Sequence, residues 1–580
     1  MSSTVTVVID GKKVEVPMGC NIIEAASKAG IEIPRLCYHK DLSPTGNCGV
    51  CIVEVKGQKG YKRSCTTPVT NNMEVITKSK EIIDARKTVV ELILANHPDD
   101  CLTCVKNGYC ELQSLAKQLG IDRTKISKIL NRKPIDDSSV SIIREPDKCI
   151  LCGRCLRACQ DVQSVFAIEA MGRGFETEIT TPSGKMAESV CINCGQCISV
   201  CPTGALHEAI EIDKVWDAIN DPDKVVIVQE APAIRVSLAE EFDLPPGTNM
   251  VGKMYNALKM LGFDYVFDTN FTADLTIMEE GSEFIERLHK NGPFPLITSC
   301  SPGWIKFMET FYPELVEGIS SCKSPQQMFG ALSKTYFAKA YNIDPAKIVT
   351  VSIMPCTAKK FEARRPEMRS SGFQDVDYVL TTRELVQMIK QVGINLAAID
   401  DAQPDDLMGA YTGAATIFGT TGGVMEAALR TAYELVTGKA LESCDIKEAR
   451  GFEGVKEFKV DVAGTTLSCA VAHGLANARK VLDKVVEAKR NGIPSPYHFI
   501  EIMACPGGCV GGGGQPYGST LARRMERAKG LYDEDGGMKL RKSHENPMID
   551  KIYKDFLEKP LSHKSHELLH THYVKRDSLL

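Results

Sequence analysis

The chain has 580 residues, of which 43% are hydrophobic and 25% are charged, so it is long enough for several domains and ordinary in composition. Its formal net charge of −5 gives no reason to expect nucleic acid as a partner. The N-terminus lacks a basic start followed by an apolar core, and no run of about 18 apolar residues is present. We therefore expect a cytoplasmic protein with no membrane span.

The 23 cysteines are the strongest compositional signal. Disulfides are the usual explanation in a small secreted chain, but this chain is long and many of its cysteines fall in C-x-x-C units. Zinc sites usually contain two separated C-x-x-C pairs, whereas here the run C-x-x-C-x-x-C-x-x-x-C occurs. The spacing therefore favours iron–sulfur clusters and, with them, electron transfer.

Residues 1–80 predict a small β-rich domain. TVTVVIDG, KKVEVP and CNIIEAASKAG have the alternation and length of a strand, a strand and a helix. Four cysteines follow at spacings of x10, x2 and x13: Cys37, Cys48, Cys51 and Cys65. Because four thiolates suit a 2Fe–2S cluster, we predict a β-grasp-like ferredoxin domain, with a structural zinc site as the alternative.

A second ligand group is predicted in residues 81–125. The apolar periodicity of residues 83–96 predicts a helix. It leads into one histidine and three cysteines: His97, Cys101, Cys104 and Cys110. Such a set holds either a 4Fe–4S cluster or a zinc ion, and its position between iron–sulfur domains favours the cluster.

Residues 138–211 carry the most specific pattern, because the four-cysteine run occurs twice and the second run ends in Cys201-Pro202. In bacterial two-cluster ferredoxins the fourth cysteine of each run ligates the other cluster. We therefore predict two 4Fe–4S clusters in a ferredoxin domain. The first predicted set is Cys149, Cys152, Cys155 and Cys201. The second is Cys191, Cys194, Cys197 and Cys159.

From residue 212 helical stretches alternate with short strands such as KVVIVQEAP, YVFDTN and IVTVSIMPC, which predicts a large α/β domain over 212–530. Residues 531–580 predict a helical segment. Its histidines are interpreted as part of a solvated basic tail, with a metal site as the alternative: His563, His566, His570 and His572. The chain as a whole is thus predicted to be an α+β and α/β multidomain protein.

Three segments of the large domain place a cysteine beside proline or glycine: ITSCSPGW at 297–304, MPCTAKKFE at 354–362 and MACPGGCVGGGGQP at 503–516. They resemble the three motifs of the FeFe-hydrogenases, and the order of the cysteine modules is similar too. The resemblance implies reversible dihydrogen oxidation at an H-cluster, which is a 4Fe–4S cubane joined to a di-iron unit bearing CO, cyanide and a bridging dithiolate. It also implies one 2Fe–2S cluster, three accessory 4Fe–4S clusters, and a 531–580 segment similar to the family's small subunit.

The resemblance assigns residues to the H-cluster domain. Cys356, Cys505 and Cys509 match cubane ligands, with Cys509 bridging to the di-iron unit, and Lys359 matches a donor to a cyanide. Six positions match residues that line the cofactor: Met354, Met503, Ala231, Pro232, Gln326 and Phe418.

The first motif departs from the family pattern, in which two adjacent cysteines occur. Here the pair is Cys300 and Ser301, and the serine falls on the cubane-ligand position. A hydroxyl is a poor ligand for a cluster that selects soft thiolates. We expect Cys300 to ligate the cubane and Ser301 to handle protons. The alternative is ligation by Ser301, with Cys300 kept as the proton relay.

The resemblance also implies a proton path through Glu280, Glu283, Ser320 and Cys300, with Arg287 near its entrance. Glu280 and Glu283 lie three residues apart in a predicted helix and share a face. Burial raises a carboxyl pKa towards neutral pH, where it exchanges protons. The alternative, taken from the residues alone, is a solvated acidic helix face.

The electron partner is the remaining expectation. The Cys–Ser pair is similar to what multi-subunit relatives carry, so we expect an NAD(P)- and ferredoxin-linked, electron-bifurcating complex with separate flavin- and NAD(P)-binding iron–sulfur subunits. The alternatives are a single-chain, ferredoxin-dependent hydrogenase and, from another class, a low-activity relative that senses dihydrogen.

Overall fold

A computed structural model describes residues 4–122, 124–130, 132–462 and 464–576. They form two compact units. The first contains the residues up to 161 together with 166–187 and 200–207, and the second contains 162–165, 188–199 and the residues from 208 onward. In the described ranges, no helix combines the length and apolar character that crossing a bilayer requires.

Among its described residues, the first unit contains short strands and four α-helices. The strands are β1 (Thr4–Ile9), β2 (Lys12–Pro17), β3 (Ile52–Val55), β4 (Lys62–Arg63), β5 (Glu74–Ile76), β6 (Ile142–Arg144), β7 (Glu169–Met171), β8 (Glu178–Thr180) and β9 (Leu206–Glu208). The helices are α1 (Ile22–Lys28), α2 (Lys80–Ala95), α3 (Glu111–Gln118) and α4 (Arg154–Arg157), and α5 (Gln196–Val200) follows in the chain.

The N-terminal strands form a five-stranded sheet in the order β2-β1-β5-β3-β4. β1 and β2 pair antiparallel, as the two alternating stretches predict, and β1 pairs with β5 in parallel. Helix α1 begins at a capping box in which Asn21 and Glu24 each accept a hydrogen bond from the other's backbone N–H. The predicted strand–strand–helix order is confirmed, and the helix predicted over 83–96 is α2.

The second unit contains eight strands and fifteen helices among its described residues. The strands are β10 (Val225–Glu230), β11 (Tyr265–Asp268), β12 (Leu296–Ile297), β13 (Ile348–Met354), β14 (Tyr378–Thr381), β15 (Val455–Val462), β16 (Thr465–His473) and β17 (Phe499–Met503). The helices are α6 (Ile212–Ile219), α7 (Pro232–Arg235), α8 (Val251–Met260), α9 (Thr269–His289), α10 (Pro302–Phe311), α11 (Pro325–Leu332), α12 (Ala338–Tyr341), α13 (Ala358–Ala363), α14 (Thr382–Val392), α15 (Gly413–Thr416), α16 (Gly423–Thr437), α17 (Leu475–Arg490), α18 (Leu521–Gly537), α19 (Pro547–Ile552) and α20 (His563–Leu569).

The strands of the second unit form two four-stranded sheets, in the orders β11-β10-β13-β14 and β12-β17-β16-β15. The first sheet is parallel throughout. The second is parallel except for the β15–β16 pair. β10 and β13 are apolar runs buried along nearly their whole length, which is expected of parallel strands covered on both faces. The predicted α/β domain with open sheets is confirmed.

Candidate functional site

The four cysteines of the N-terminal motif meet in the first unit. Cys37, Cys51 and Cys65 are buried in the core beside the five-stranded sheet, and Cys48 is half-buried against them. Hydrogen bonds from the Cys48 and Cys65 thiols hold the pKa of Cys37 well below its usual range. A hydrogen bond from Cys65 lowers the pKa of Cys51 to about 6. The thiols are therefore in mutual contact, as the ligands of a 2Fe–2S cluster must be.

The imidazole of His97 is oriented like a metal ligand. Its ring is buried, and Nδ1 lies 2.9 Å from the carbonyl oxygen of Pro98. Nε2 is buried with no hydrogen-bond partner among the described residues. A ligating histidine usually donates its other ring N–H to a carbonyl, and this leaves Nε2 free to bind the metal. Burial raises the pKa of Cys110, and the nearby Cys104 and Cys101 thiols raise it further.

A cavity in the first unit brings together cysteines from both halves of the ferredoxin repeat. It has a volume of about 30 Å³, and its lining includes Cys149, Cys152, Cys155 and Cys201. This is the crossed set that the spacing predicts, with three ligands from the first run and the last from the second. Burial raises the pKa of the Cys149 and Cys152 thiols to about 11 and about 12, so the site is largely closed to water.

The second crossed set remains a prediction. Cys191, Cys194 and Cys197 are buried in the second unit. Cys159 belongs to the first unit, where its Sγ accepts a hydrogen bond from the backbone N–H of Ala167 at 3.3 Å.

The second unit contains a cavity of about 70 Å³. Its lining includes every residue that the sequence assigns to the H-cluster pocket: Ala231, Pro232, Cys300, Ser301, Gln326, Met354, Cys356, Lys359, Phe418, Met503, Cys505 and Cys509. The sequence did not single out Thr269, Ala273, Pro302, Pro325, Pro355, Ala504 and Gly508, which also line it. Four of these seven lie within two residues of a motif cysteine in the sequence: Pro302, Pro355, Ala504 and Gly508. That proximity was the sequence signal by which they could have been predicted to line the cavity.

The two sheets place this cavity at the carboxyl ends of their parallel strands. Met354 and Met503 are the last residues of β13 and β17, and Ala231 directly follows β10. Cys300 comes three residues after the end of β12. Ligand sites in open α/β sheets form at these strand ends, which explains why segments distant in sequence converge here.

The motif thiols lie together in the cavity. A hydrogen bond from the Cys505 thiol lowers the pKa of Cys356, and the charge of Lys359 lowers it further. Burial, together with the nearby Cys356 thiol, raises the pKa of Cys509 to about 12. Lys359 Nζ donates to Glu362 Oε2 at 2.9 Å and to the Cys300 carbonyl oxygen at 3.1 Å. The Glu362 carboxylate and the Cys300 carbonyl oxygen thus fix the lysine in the lining of the cavity.

Cys300 and Ser301 both line the cavity but differ in their contacts. Burial raises the pKa of the Cys300 thiol, and the neighbouring Glu280 carboxyl and Cys509 thiol raise it further. The hydroxyl of Ser301 accepts a hydrogen bond from the backbone N–H of Ala504 at 3.3 Å. Cys300 therefore lies next to both the thiol set and the first carboxyl of the predicted proton path.

The lining fits an H-cluster. Four cysteines supply soft ligands, the methionines supply an adaptable apolar wall, and Lys359 supplies a compact cation. Gln326 Oε1 is buried at the cavity without a hydrogen-bond partner among the described residues. An unpaired buried polar atom is costly, so this oxygen indicates space for a group or water that the amide contacts.

Three of the predicted proton-path residues, Glu280, Ser320 and Glu283, lie together on α9 and the loop after α10, and Arg287 pairs with Glu283. Glu280 is fully buried, and burial raises the pKa of its carboxyl to about 8 although the Ser320 hydroxyl hydrogen-bonds to it. Ser320 Oγ donates to Glu283 Oε2 at 3.2 Å. Arg287 Nη2 donates to Glu283 Oε1 at 2.6 Å. The alternative of a solvated acidic face is therefore wrong for Glu280.

Comparison with known proteins decides the family. Residues 224–513 match the family described as the iron only hydrogenase large subunit, C-terminal domain, and residues 521–576 match the iron hydrogenase small subunit. The whole chain is 51% identical to the NADP-reducing hydrogenase subunit HndD of Solidesulfovibrio fructosivorans, and the alignment covers 100% of both. The chain belongs to the FeFe-hydrogenases.

Other matches agree with this FeFe-hydrogenase assignment. Residues 2–80 match a 2Fe–2S iron–sulfur cluster binding domain, residues 86–125 match the NADH-ubiquinone oxidoreductase-G iron–sulfur binding region, and residues 148–205 match a 4Fe–4S dicluster domain. Iron hydrogenase 1 of Clostridium pasteurianum is 40% identical over 98% of this chain and 100% of that protein. The FeFe-hydrogenase HydA1 of Chlamydomonas reinhardtii superposes with a TM-score of 0.55 at 43% identity, covering 63% of this chain and 99% of that one. The chain is thus an iron hydrogenase with an H-cluster domain and accessory 2Fe–2S and 4Fe–4S domains.

Proposed function

We propose that this hydrogenase is the catalytic subunit of a cytoplasmic NAD(P)-linked complex that also exchanges electrons with ferredoxin by electron bifurcation. The observation that carries the proposal is the identity of 51% with the NADP-reducing hydrogenase subunit HndD along the entire chain. A complex of this kind needs partner subunits that bind flavin and NAD(P). The accessory clusters of this chain relay electrons between those partners and the H-cluster.

Anaerobic purification from the native host tests the proposal. We expect the chain to co-purify at a fixed ratio with a flavin-containing iron–sulfur protein, and the assembly to reduce NAD(P)⁺ with dihydrogen. Added ferredoxin is expected to change the rate of NAD(P)⁺ reduction, because bifurcation couples the two acceptors. A chain that purifies alone and is fully active with ferredoxin contradicts the complex and supports a single-chain hydrogenase.

We assign the cubane to Cys300, Cys356, Cys505 and Cys509. The bound H-cluster supplies the metal centre at which dihydrogen is formed or split heterolytically. The protein supplies position and charge, because the thiols, Lys359 and the apolar wall all lie on one rigid pocket at the strand ends.

Protons reach the cavity through side chains of this chain. A neutral Glu280 donates towards the cavity and regains its proton from Ser320, whose hydroxyl is in turn bonded to Glu283. Arg287 holds Glu283 at the outer end and donates to the carbonyl oxygens of Gly318 and Ile319. With a pKa of about 8, Glu280 gains and loses protons near neutral pH, as a proton-transfer group must.

A further inference from the structure

The C-terminal segment forms a second hydrogen-bonded branch on the proposed proton path. Lys323 N–H donates to the carbonyl oxygen of Leu569 at 2.8 Å, and Thr571 N–H donates to that of Ser321 at 2.8 Å. These bonds attach residues 569–571 to the loop that carries Ser320. His570 lies in the middle of this bridge and is only 8% exposed. The expectation that the histidines form a solvated tail is therefore wrong for His570.

Glu283 is shared between two serines and an arginine. Its Oε1 faces Arg287, whereas its Oε2 accepts from Ser320 Oγ at 3.2 Å and from Ser321 Oγ at 3.2 Å. The backbone N–H of Ser321 donates to the same oxygen at 3.1 Å. Ser320 links Glu283 to the buried Glu280, so the hydroxyl of Ser321 can link Glu283 by hydrogen bonds to a different group.

Ser321 leads to the imidazole of His570. Ser321 Oγ lies 2.8 Å from His570 Nδ1, and His570 Nε2 lies 3.1 Å from Glu279 Oε2. Glu279 is itself fixed by Tyr553 OH at 2.6 Å and the Leu561 N–H at 2.9 Å. Both ring nitrogens therefore have partners that can exchange or stabilise a proton, and the hydrogen bonds run unbroken from His570 to Glu283.

The branch ends at the protein surface. The ring of His566, on α20, lies 4.2 Å from the His570 ring between centroids, and its side chain is exposed. The other titratable groups around His570 are Glu279, Glu283, Cys322 and Tyr553. Glu286 and Arg287 lie on α9, the helix that also carries Glu279 and Glu283. Histidine titrates in the physiological range, which suits it to shuttle protons.

We propose that His570 is a proton-relay residue, which passes protons to Glu283 through Ser321 and gives the path a second entrance at His566. This inference rests on the proposed proton path. The imidazolium donates through both nitrogens, to Glu279 and to Ser321. In the transfer step the Nδ1 proton passes to Ser321 Oγ while the Ser321 hydroxyl proton passes to Glu283. The neutral ring keeps its one remaining proton on Nε2, so it turns about its Cβ–Cγ bond to bring the unprotonated Nδ1 to the His566 side, where it takes a proton from the surface before turning back. The reverse sequence releases protons during dihydrogen oxidation.

The test compares variants of the purified, fully loaded hydrogenase in dihydrogen evolution from a reduced artificial donor. His570→Gln keeps a polar side chain but cannot carry the proton. We expect His570→Gln to lower turnover by roughly tenfold. An obligatory proton-transfer group would cost about 10²–10⁴-fold, and the expected loss is smaller because protons can still enter at Arg287. Iron content and cluster spectra are expected to match the parent protein. His563→Gln, which changes an exposed histidine of α20, is the matched control and is expected to leave turnover unchanged.

Chemical rescue separates proton transfer from structural support. Imidazole in the buffer is expected to restore much of the turnover of His570→Ala and to leave the rate of every other variant unchanged. The solvent deuterium isotope effect on turnover is expected to be larger in His570→Gln than in the parent. Parental turnover with an unchanged pH profile in His570→Gln overturns the inference, as does a loss in His570→Ala that imidazole does not reverse. Glu283→Gln distinguishes failure of this inference from failure of the proposed proton path. If Glu283→Gln retains turnover, the proposed path itself fails. If Glu283→Gln loses turnover but His570→Gln does not, only the second entrance fails.

Discussion

Replacing Glu280 with glutamine is expected to reduce dihydrogen turnover by about 10²–10⁴-fold while every cluster stays in place. Glu280 is fully buried and lies between Ser320 and the Cys300 end of the cavity. Glutamine is similar in shape but cannot release and regain a proton at this position. The measurement is dihydrogen evolution per H-cluster, with iron content and electron paramagnetic resonance spectra recorded on the same samples.

The same variant has a predicted effect on stability. Burial raises the pKa of Glu280 to about 8 from an ordinary value of 4.5, so the folded protein holds this proton where the unfolded chain releases it. The contribution of this proton to the free energy of unfolding is complete below the unfolded pKa of 4.5. It decreases by about 1.4 kcal/mol per pH unit as pH rises and is lost once pH has passed the folded pKa. Glu280→Gln is therefore expected to gain stability relative to the parent as pH rises from 4.5 to 8.

Glu286→Gln is the matched control for both measurements, because Glu286 lies on the same helix but is exposed and paired with Lys290. It is expected to change neither turnover nor the pH dependence of thermal unfolding between pH 4.5 and 8, because Lys290 lowers the pKa of Glu286 and this carboxyl stays ionised over that range. Parental turnover in Glu280→Gln removes this residue from the path. A stability difference that does not change with pH contradicts the raised pKa.

The second large effect concerns the Cys300–Ser301 pair. We expect Cys300→Ala to lose the cubane, and Ser301→Ala to keep it with slower turnover. Iron–sulfur clusters select thiolate over hydroxyl, and the Ser301 hydroxyl is already occupied by the Ala504 N–H. Cys300 has the Cys509 thiol as a neighbour, so its sulfur lies with the other proposed ligands.

Iron and sulfide content together with Mössbauer spectra distinguish the two arrangements. Cys444→Ala is the control, because Cys444 is half-buried and lies outside the predicted ligand sets. A cubane that survives in Cys300→Ala but is lost in Ser301→Ala assigns ligation to the serine and the proton relay to Cys300. Such a result would reverse both roles.

The sequence predicted the pocket better than it predicted the paths leading to it. All twelve pocket residues taken from the motifs line one cavity, because each motif lies at the end of a strand and strand ends of parallel sheets converge. Spacing alone grouped the cysteines of the first domain and those of the first ferredoxin set, since most ligands of one cluster are close in sequence, and the structure brings each of these two groups together. The other ligand sets stay predictions. The order of the strands in the two sheets was not, because pairing depends on contacts distant in the chain.

His570 shows why the remainder was missed. Its partners Ser321 and Glu279 lie more than two hundred residues away, and a histidine-rich helix of seven residues has the same pattern whether it is solvated or buried. The available signal was the adjacent apolar pair Leu568 and Leu569 directly before His570, since both leucines are buried. Likewise, the pair Glu280 and Glu283 predicted a shared face, but only the packing of α9 showed that this face is inside.

Dihydrogen evolution by the purified, fully loaded chain tests the central claim most directly. With a reduced artificial electron donor and no partner protein, a catalytic hydrogenase subunit is expected to evolve dihydrogen at every pH where Glu280 exchanges its proton. The rate is expected to fall in Glu280→Gln and to be unchanged in Glu286→Gln. A chain that carries its complete H-cluster and accessory clusters but evolves no dihydrogen would contradict the account and indicate a sensory relative.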